Sequence, residues 1–356
     1  MKINHNRFLN LAFELARINL GKTKSNPSVG CVVVKNGSVI SSGYTSINGR
    51  PHAEFNALNK KINFNNSSLY LTMEPCTHYG LTPPCTNIII KKNIKKVYFS
   101  FYDKDKRTSK KSAPILRKKN IKIYKKNTKF FKNFYESYFN KISNQLPLLD
   151  AKIALSKDYY SINKKDKWIT NSSSRLRAHL LRSEYDSIIS TSLSINKDNS
   201  LLNCRLRGYN NKKPNLIIID LKLKIKTNLN LFKFSKKRRI LLVTSVKKDK
   251  KISYLKKHGV EIIFIDSLDQ RINFIKLLNI FKIKGFNRIL VETGLTFLNE
   301  LLKNKLIFNL YMFKSSTKLG RNGFNNSSVK LIKKFNNKKK IKVNLKNYQL
   351  YKIKVK

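Results

Sequence analysis

Several residue types are scarce in this chain of 356 residues, and each scarcity excludes a class of protein. Its four cysteines are too few for a disulfide scaffold at this length. Continuous apolar runs stay well short of the roughly 18 residues of a membrane-spanning helix. The first residues, MKINHNRFLNLAFELARINLGK, place Asn, His, Arg and Glu among their apolar positions, so they lack a secretory signal segment. We therefore expect a soluble, cytoplasmic protein with reduced thiols.

Acidic residues are also scarce, because 19 Asp and Glu stand against 75 Lys and Arg, for a net charge of +56. Such a charge usually suggests a polyanionic partner. Here lysine, asparagine and isoleucine are plentiful from end to end, which is typical of A/T-rich codon usage, and runs such as KKFNNKKKIK are not confined to one segment. This spread favours drift of solvated faces toward lysine over a selected nucleic-acid surface. We expect no membrane or nucleic-acid partner.

The chain is long enough for two domains, taking roughly 150 residues per domain. In the first part, apolar spacing predicts a helix that ends near residue 20. Asn36-Gly37 predicts a hairpin between two strands in VGCVVVKNGSVISSGY. Helices over 52–61 and 84–93 then alternate with strands in SLYLTM and KKVYFSF. This alternation predicts an α/β layered domain over residues 1–145.

A second alternating series follows the segment NQLPLLDAKIALS, which contains Pro147 at a strand entry. Helices are predicted over 171–184 and near 267–283. Strands are predicted at 186–191, 216–220, 239–244, 260–265, 288–292 and 306–313. We therefore place a second α/β domain over residues 146–356.

Four residues of the first domain could form a catalytic metal site. His52 and Glu54 stand two residues apart in PHAEFNAL, and Cys76 and Cys85 each follow a proline in MEPCTHYGLTPPC. One imidazole and two thiolates bind Zn²⁺ and leave a fourth position for water, whose pKa zinc lowers to about 7. Glu54 would carry the water proton to a ring nitrogen and to the departing amine, as in zinc deaminases. A structural zinc with His78 as fourth ligand, and ordinary buried thiols, are the alternatives.

The motifs NPSVGCVVV, PHAE and MEPCTHYGLTPPC together resemble a bifunctional riboflavin-biosynthesis family. Its members fuse diaminohydroxyphosphoribosylaminopyrimidine deaminase to 5-amino-6-(5-phosphoribosylamino)uracil reductase. Cytidine and nucleic-acid deaminases usually place two residues between the cysteines, whereas eight separate Cys76 from Cys85. The resemblance runs along nearly the whole chain. It implies a cytidine-deaminase-like α/β/α domain followed by a dihydrofolate-reductase-like α/β domain, with Zn²⁺ and NADPH as cofactors.

The resemblance also implies roles for individual residues. His52, Cys76 and Cys85 would bind zinc, and Glu54 would be the proton donor. Cofactor contacts are implied for Ala154, Trp168, Ser194, Asp198, Gly294, Leu295, Thr296 and Phe297. Substrate contacts are implied for Lys152, Asp166, Arg182, Leu202, Arg205 and Glu292. Ser156, Asp158 and Thr170 are further candidates beside them.

Elementary chemistry supports part of this set. Glu292 ends an apolar strand and Gly294 opens a helix, so backbone N–H groups there can face a phosphate that glycine lets approach closely. A plain strand-to-helix turn is the alternative. Arg182 and Arg205 suit a ribose phosphate through their forked donors, although lone arginines say little in so basic a chain.

The chain departs from the family pattern at several positions. Leu81 stands where Lys or Arg is common, and Thr45 replaces a common histidine. Lys110 and Lys111 lie where a Gly-Arg-Gly stretch is usual. In the second half, the departures are Tyr159 after Asp158, Asp166 in place of serine, and Leu221 after Asp220.

Three functions follow as hypotheses. The first is a bifunctional enzyme that acts on small phosphoribosylaminopyrimidines, with association into homo-oligomers left open. The second is a fusion in which only the deaminase works. The third is a basic RNA-binding or RNA-editing deaminase.

Overall fold

The computed structural model describes residues 4–128, 131–166, 168–209, 214–235, 237–336 and 338–356. Two compact units divide the chain between Gln145 and Leu146. Each unit is built around its own large sheet. In the part of the chain that the structure describes, helices are too short or too polar to cross a membrane.

The helices and strands of the first unit alternate as the sequence predicts. Its helices are α1 (His5–Arg17), α2 (Ala53–Leu58), α3 (Cys85–Lys91), α4 (Ser112–Arg117) and α5 (Glu136–Ile142). Its strands are β1 (Gly30–Lys35), β2 (Ser38–Tyr44), β3 (Ser68–Met73), β4 (Lys96–Phe101) and β5 (Lys122–Lys125). Helix α1 ends three residues before the predicted position, and Gly21 follows in the left-handed region at φ 76°.

The first sheet has the order β2-β1-β3-β4-β5. Strand β1 is antiparallel to β2 and β3, whereas β3, β4 and β5 are parallel. The predicted Asn36-Gly37 hairpin joins β1 and β2, with both residues at positive φ, as such a turn requires. Helices α2 and α3 follow β2 and β3, so the ends of these strands meet at one edge of the sheet.

The second unit carries the larger sheet. Its helices are α6 (Ser172–Ser183), α7 (Ser192–Asp198), α8 (Lys250–Lys257), α9 (Arg271–Ile283), α10 (Leu295–Lys303) and α11 (Lys330–Lys333). Its strands are β6 (Leu148–Leu155), β7 (Ile162–Asn163), β8 (Ser187–Thr191), β9 (Asn215–Ile219), β10 (Ile240–Thr244), β11 (Val260–Phe264), β12 (Arg288–Glu292), β13 (Asn309–Lys314), β14 (Gly323–Phe324), β15 (Lys338–Ile341) and β16 (Gln349–Lys354).

The order of the second sheet is β11-β10-β9-β8-β12-β6-β13-β16-β15. The strands from β11 to β13 are parallel, and β16 and β15 add antiparallel pairs at one side. Parallel strands end at the same edge, so the ends of β6, β8, β12 and β13 lie together. In open α/β sheets ligands bind at this carboxyl edge.

Both faces of the second sheet are covered. In β12, Ile289 and Val291 belong to one apolar cluster and Leu290 to the cluster on the other face. A parallel strand buried on both faces reads as a continuous apolar run, which is why RILVE does not alternate with polar residues. The central strands therefore form a rigid base for side chains at their ends.

Gly43 sets the position of α2 on the first sheet. A Cβ atom on Gly43 would lie 2.5 Å from the Ala53 carbonyl oxygen and 2.6 Å from the Ala57 nitrogen. The helix backbone therefore rests directly on β2, and only glycine leaves room for it. Since α2 begins next to His52 and carries Glu54, this close approach places both side chains.

Candidate functional site

The first candidate site lies at the start of α2. His52 is the residue that precedes the helix, with extended backbone at φ −70° and ψ 163°. Its ring Nδ1 lies 3.6 Å from Cys76 Sγ and 3.4 Å from Cys85 Sγ. The structure therefore brings together, through tertiary contacts, three residues that are distant in the sequence.

Cys76 and Cys85 are held against each other by backbone as well as by side chains. Cys85 begins α3, and its N–H donates to Cys76 Sγ over 3.2 Å. The hydrogen bond from the Cys85 thiol lowers the pKa of Cys76 to about 4, helped by His52 and opposed by burial. Cys76 is therefore the sulfur of this pair that favours the thiolate, the form that binds metal, whereas the hydrogen bond to Cys76 and burial raise the pKa of Cys85.

The donor set fits a zinc ion. The ligand atoms of His52, Cys76 and Cys85 all lie within 4.8 Å of one another. Among the described residues, this group does not include His78, whose Nδ1 instead lies 3.0 Å from Thr108 Oγ1. Three nitrogen and sulfur ligands leave a coordination position open, which is the arrangement of catalytic rather than structural zinc.

Glu54 lies beside these ligands in the first turn of α2 and is only 3% exposed. Burial raises the pKa of its carboxyl to about 7, the Cys76 charge adds to this effect, and His52 opposes it. The carboxyl is also hydrogen-bonded to Cys85. Glu54 is therefore a buried carboxyl next to the three ligands, where proton transfer to and from a bound substrate is within reach.

A second buried acid, Glu74, binds the segment that follows β4 through hydrogen bonds. The Glu74 carboxylate accepts hydrogen bonds from Lys110 N over 2.9 Å and from Ser112 Oγ over 2.8 Å. Lys110 takes a left-handed conformation at φ 60°, and its ammonium lies 5.9 Å from the centre of the Tyr102 ring. Sequence patterns did not single out Glu74, although it directly precedes the Pro-Cys pair.

The second candidate site lies at the carboxyl edge of the large sheet. Glu292, the last residue of β12, is paired in register with Lys152 of β6, so their side chains point the same way. Lys152 Nζ lies 3.5 Å from Glu292 Oε2. Arg182 of α6 reaches the same carboxylate from above, with Nε 2.5 Å from Oε1 and Nη2 3.0 Å from Oε2.

These two cations determine the charge of Glu292. Burial alone raises the pKa of this carboxyl, but the charges and hydrogen bonds of Arg182 and Lys152 outweigh burial and hold the pKa at about 2. Glu292 is therefore a fixed anion at neutral pH. Arg182 uses two of its three nitrogens on Glu292 and donates from the third, Nη1, to the Asn203 carbonyl over 3.1 Å.

The loop after α7 supplies the opposite side of this site. Arg205 is exposed there, and its Nη1 donates to Asn203 Oδ1 over 2.8 Å. Leu202 is 6% exposed and packs into the core with φ 45°, so it can meet a ligand mainly through its backbone. Arg205 is an exposed cation of this loop, whereas the Arg182 guanidinium is largely buried and engaged with Glu292.

His179 belongs to the same cluster, although its lack of ligand spacing gave no reason to select it. Its Nδ1 lies 2.9 Å from the Asn203 carbonyl oxygen. Burial, together with the charges of Arg182 and Arg205, lowers the pKa of His179 to about 4. His179 precedes Arg182 by three residues on α6, and this same-face spacing was the signal that could have found it.

A polar cradle forms where α10 begins. Gly294 precedes the helix, and a Cβ atom there would meet Asn326 Nδ2 at 3.5 Å and Ser194 Oγ at 3.9 Å. The first-turn N–H groups belong to Leu295, Thr296 and Phe297, which lack helical acceptors because of their position. Thr191 lies at the end of β8, and its Oγ1 donates to Ser194 Oγ over 3.1 Å. These donors fit a cofactor phosphate.

The other sequence-selected cofactor residues lie on β6, on α7 and in the segment before α6. Ala154 is in β6, and Asp198 ends α7 four residues after Ser194. Trp168 is half exposed, with the Arg175 guanidinium 4.7 Å from its ring centre. The Asp166 carboxylate accepts from Trp168 N over 3.1 Å, so this polar contact lies within its own turn.

Three of the residues that depart from the family pattern have defined contacts in the structure. Tyr159 has φ 70°, the left-handed region that favours glycine, and its ring lies 4.2 Å from Lys314 Nζ. The preceding Asp158 accepts from Leu319 N and Gly320 N and so fastens a loop. Thr45 is buried, and its Oγ1 accepts from Val29 N over 2.9 Å.

Leu221 is the third of these residues and makes its polar contacts through its backbone. Its carbonyl accepts from Ser245 Oγ over 2.7 Å. The preceding Asp220 accepts from Ser192 Oγ over 2.7 Å and from Ile225 N over 2.7 Å. Asp220 therefore ties the ends of β8 and β9 together, independently of the side chain at position 221.

Comparisons with known proteins follow the same division of the chain. A family model for the cytidine and deoxycytidylate deaminase zinc-binding region matches residues 2–101. A model for the RibD C-terminal domain matches residues 149–349. The chain is 31% identical to the riboflavin biosynthesis protein RibD of Aquifex aeolicus over 310 residues, which cover 86% of this chain and 85% of that protein. The chain belongs to the RibD family.

Other relatives agree with this membership. RibD of Actinobacillus pleuropneumoniae is 30% identical over 291 residues, which cover 81% of this chain and 77% of that protein. A solved structure from Thermotoga maritima, described as a diaminohydroxyphosphoribosylaminopyrimidine deaminase and 5-amino-6-(5-phosphoribosylamino)uracil reductase, has a TM-score of 0.79. That chain is 25% identical, with 98% of each chain covered.

Membership in the RibD family confirms the expected fold class and the bifunctional activity. The chain is a zinc-dependent deaminase joined to an NADPH-dependent reductase of riboflavin biosynthesis. The deaminase-only and RNA-editing alternatives are not favoured, because the RibD C-terminal match spans the second unit.

Proposed function

We propose that His52, Cys76 and Cys85 hold the zinc ion of the deaminase and that Glu54 is its proton shuttle. The supporting observation is a fully buried carboxyl beside three ligand atoms that lie within 4.8 Å of one another. Zinc bound there lowers the pKa of a water to about 7 and so supplies a nucleophile at neutral pH.

Glu54 performs the proton transfers of this reaction. The substrate is 2,5-diamino-6-(5-phosphoribosylamino)pyrimidin-4(3H)-one, and water replaces its 2-amino group. Glu54 takes a proton from the attacking water and delivers it to the ring nitrogen. It then transfers the second proton, from the new hydroxyl at C2, to the amine, which leaves as ammonia while the C2 carbonyl forms. Gly43 and the close packing of α2 keep the carboxylate within reach of both positions.

The test compares Glu54→Gln with Cys76→Ser. We expect Glu54→Gln to retain about one zinc per chain and to lose ammonia release by at least about 10²-fold, the typical contribution of general acid–base catalysis. Cys76→Ser is expected to lose zinc as well as activity. Ammonia released at the wild-type rate by zinc-loaded Glu54→Gln would contradict the shuttle assignment.

For the reductase, the proposed binding sites are the two groups of side chains at the carboxyl edge. Ser194, Gly294 and the first-turn N–H groups of α10 would hold the cofactor phosphate, with Ala154, Trp168 and Asp198 as further cofactor contacts. The substrate lies against Lys152, Glu292 and the 202–205 loop, with Asp166 beside it. NADPH supplies the hydride that converts the ribosyl group to ribityl.

Different side chains bind the sugar hydroxyls and the phosphate of the substrate. Glu292 is an anion that can accept hydrogen bonds from sugar hydroxyls, and Lys152 provides a cation beside it. Arg205 is an exposed cation that takes the substrate phosphate. Arg182, the other arginine on the substrate side, also holds Glu292 and the Asn203 carbonyl in place.

A single variant tests this division. Arg205→Met is expected to raise the KM for 5-amino-6-(5-phosphoribosylamino)uracil and to leave the KM for NADPH and the release of ammonia unchanged. A raised KM for NADPH instead would place Arg205 on the cofactor side.

We further propose that the chain acts in the cytoplasm on free nucleotides rather than on nucleic acid. The spread of basic residues along the chain supports this, since phosphate-backbone binding requires clustered cations. RNA binding that persists at high salt would contradict it. Sedimentation velocity decides whether the chain also forms homo-oligomers, which the sequence leaves open.

A further inference from the structure

Arg238 is a buried arginine that is not among the residues proposed to bind the cofactor or the substrate. It directly precedes β10 and is only 6% exposed. Its hydrogen-bond acceptors are backbone carbonyls: Nη1 donates to Leu202 O over 2.9 Å and to Pro214 O over 3.3 Å, and Nη2 donates to Leu201 O. Arg238 therefore supports the 201–204 loop from the core side.

Burying the Arg238 guanidinium without an anionic partner costs free energy of folding. Salt bridges found among the described residues do not include Arg238, and its Nε is buried there with no hydrogen-bond partner. Burial, together with the Arg182 charge, lowers the pKa of Arg238 to about 10. Burying a cation without a paired anion is unfavourable, and here three backbone carbonyls compensate for the missing anion.

The loop that Arg238 supports is also fastened from the other side. Arg182 and His179 both lie at hydrogen-bond distance from the Asn203 carbonyl, at 3.1 Å and 2.9 Å. Leu202 adopts φ 45°, a conformation that L-residues seldom take without outside support. Three successive carbonyls, those of residues 201, 202 and 203, are thus bound by two arginines.

The orientation of Arg205 depends on this loop. Asn203 Oδ1 accepts from Arg205 Nη1 over 2.8 Å, which aims the exposed guanidinium. If the carbonyls of residues 201 and 202 were released, Leu202 could relax from its left-handed conformation. Asn203 and Arg205, which follow in the same loop, would then lose their present positions.

We propose that Arg238 is a positioning residue of the reductase, which fixes the 201–204 loop so that Arg205 meets the anionic group of the substrate. The inference rests on the proposed placement of the substrate beside Arg205. Arg238 acts through the loop and makes no contact with the substrate itself.

The test uses the full-length enzyme and three variants, Arg238→Met, Arg238→Lys and Arg239→Met. Arg239 is the matched control, because it is the adjacent arginine, is 43% exposed and pairs with Glu261 over 2.7 Å. Each variant is assayed for NADPH oxidation with the uracil nucleotide, for ammonia release by the deaminase, and for thermal unfolding.

For Arg238→Met we expect the KM for the nucleotide to rise about tenfold, with the KM for NADPH changed less than about twofold and ammonia release unchanged. Arg238→Lys is expected to restore part of the KM, since its ammonium can still donate to these carbonyls. Arg239→Met should behave as the wild type. A purely structural role would lower the melting temperature and the active fraction while leaving both KM values unchanged, and that result overturns the proposal.

Two further outcomes separate this inference from the site assignment. If Arg205→Met leaves the KM for the nucleotide unchanged, the proposed substrate placement is wrong. If Arg205→Met raises the KM but Arg238→Met does not, the positioning role is wrong.

Should Arg238→Met fail to fold, Arg238→Lys decides by the ratio of its KM for the nucleotide to its KM for NADPH, and an unchanged ratio contradicts the proposal. The double variant should show a KM close to that of Arg205→Met alone, because both changes act through one interaction.

Discussion

Arg182 and Glu292 form a two-bond ion pair that links α6 to the end of β12, with N–O distances of 2.5 and 3.0 Å. The two side chains are 13% and 6% exposed, so water screens the pair weakly. A planar guanidinium facing a carboxylate in this way fixes the direction of both groups. The pair therefore orients Glu292 toward Lys152 and the space beside it.

Removal of the Glu292 charge is expected to disable the reductase alone. Glu292→Gln leaves the Arg182 and Lys152 cations without their anion, and breaking one side of a buried pair costs about 3–5 kcal/mol. We expect NADPH oxidation to fall by at least about tenfold and the second unit to unfold more readily, with ammonia release unchanged. Glu261→Gln, which removes a partly buried partner of Arg239, is the matched control. Equal loss of both activities would contradict separate sites.

The Glu292 pair also predicts how stability depends on pH. The pKa of Glu292 is about 2 in the folded chain, below its ordinary value of 4.5. A depressed pKa contributes stability that is fully present above about pH 4.5 and is lost as the pH falls toward 2, on the order of 3 kcal/mol in total. Denaturant unfolding of wild type and Glu292→Gln between pH 6 and 3 measures this. The difference between the two proteins should shrink as the pH falls, and a constant difference would refute the assignment.

Leu81 provides a test of substrate binding by the deaminase. This side chain is 89% exposed in the loop between the two cysteines, so substitution should not change stability. Leu81→Lys places a cation near the zinc ligands, where we expect the KM for the phosphorylated substrate to fall about two- to fivefold, as an exposed ion pair allows. Ile283→Lys, at a position 84% exposed in the other unit, controls for net charge. An equal change in both variants would indicate a general charge effect.

Gly43 predicts a link between packing and zinc binding. In Gly43→Ala the new Cβ would lie 2.5 Å from the Ala53 carbonyl oxygen, so α2 must move away from β2. Overpacking of this kind costs about 1–3 kcal/mol. Because α2 starts at the zinc ligand His52, zinc affinity should fall with stability, measured by competition with a chelator. Ser42→Ala, whose side chain points to the opposite face, should leave zinc affinity unchanged, and unchanged affinity in Gly43→Ala would contradict the link.

The sequence by itself determined the fold class, most elements and the chemistry of the first site. Apolar spacing and the Asn36-Gly37 turn predicted the early strands and helices, because these signals depend on local backbone preferences. The elements it missed, such as α4, α8 and the strands β15 and β16, are short or rich in lysine. Metal ligands are readable from sequence since few residue types bind zinc and their motifs are compact.

Only the tertiary structure decided which charged residues are paired, which are exposed and which are buried. In a chain with 75 basic residues, no local pattern distinguishes Arg182, which is engaged with Glu292, from the exposed Arg205 or the buried Arg238. Likewise, only strand register places Lys152 beside Glu292, although 139 residues lie between them. Electrostatic partnership depends on distance and burial in three dimensions, and neither quantity is encoded in the neighbouring residues.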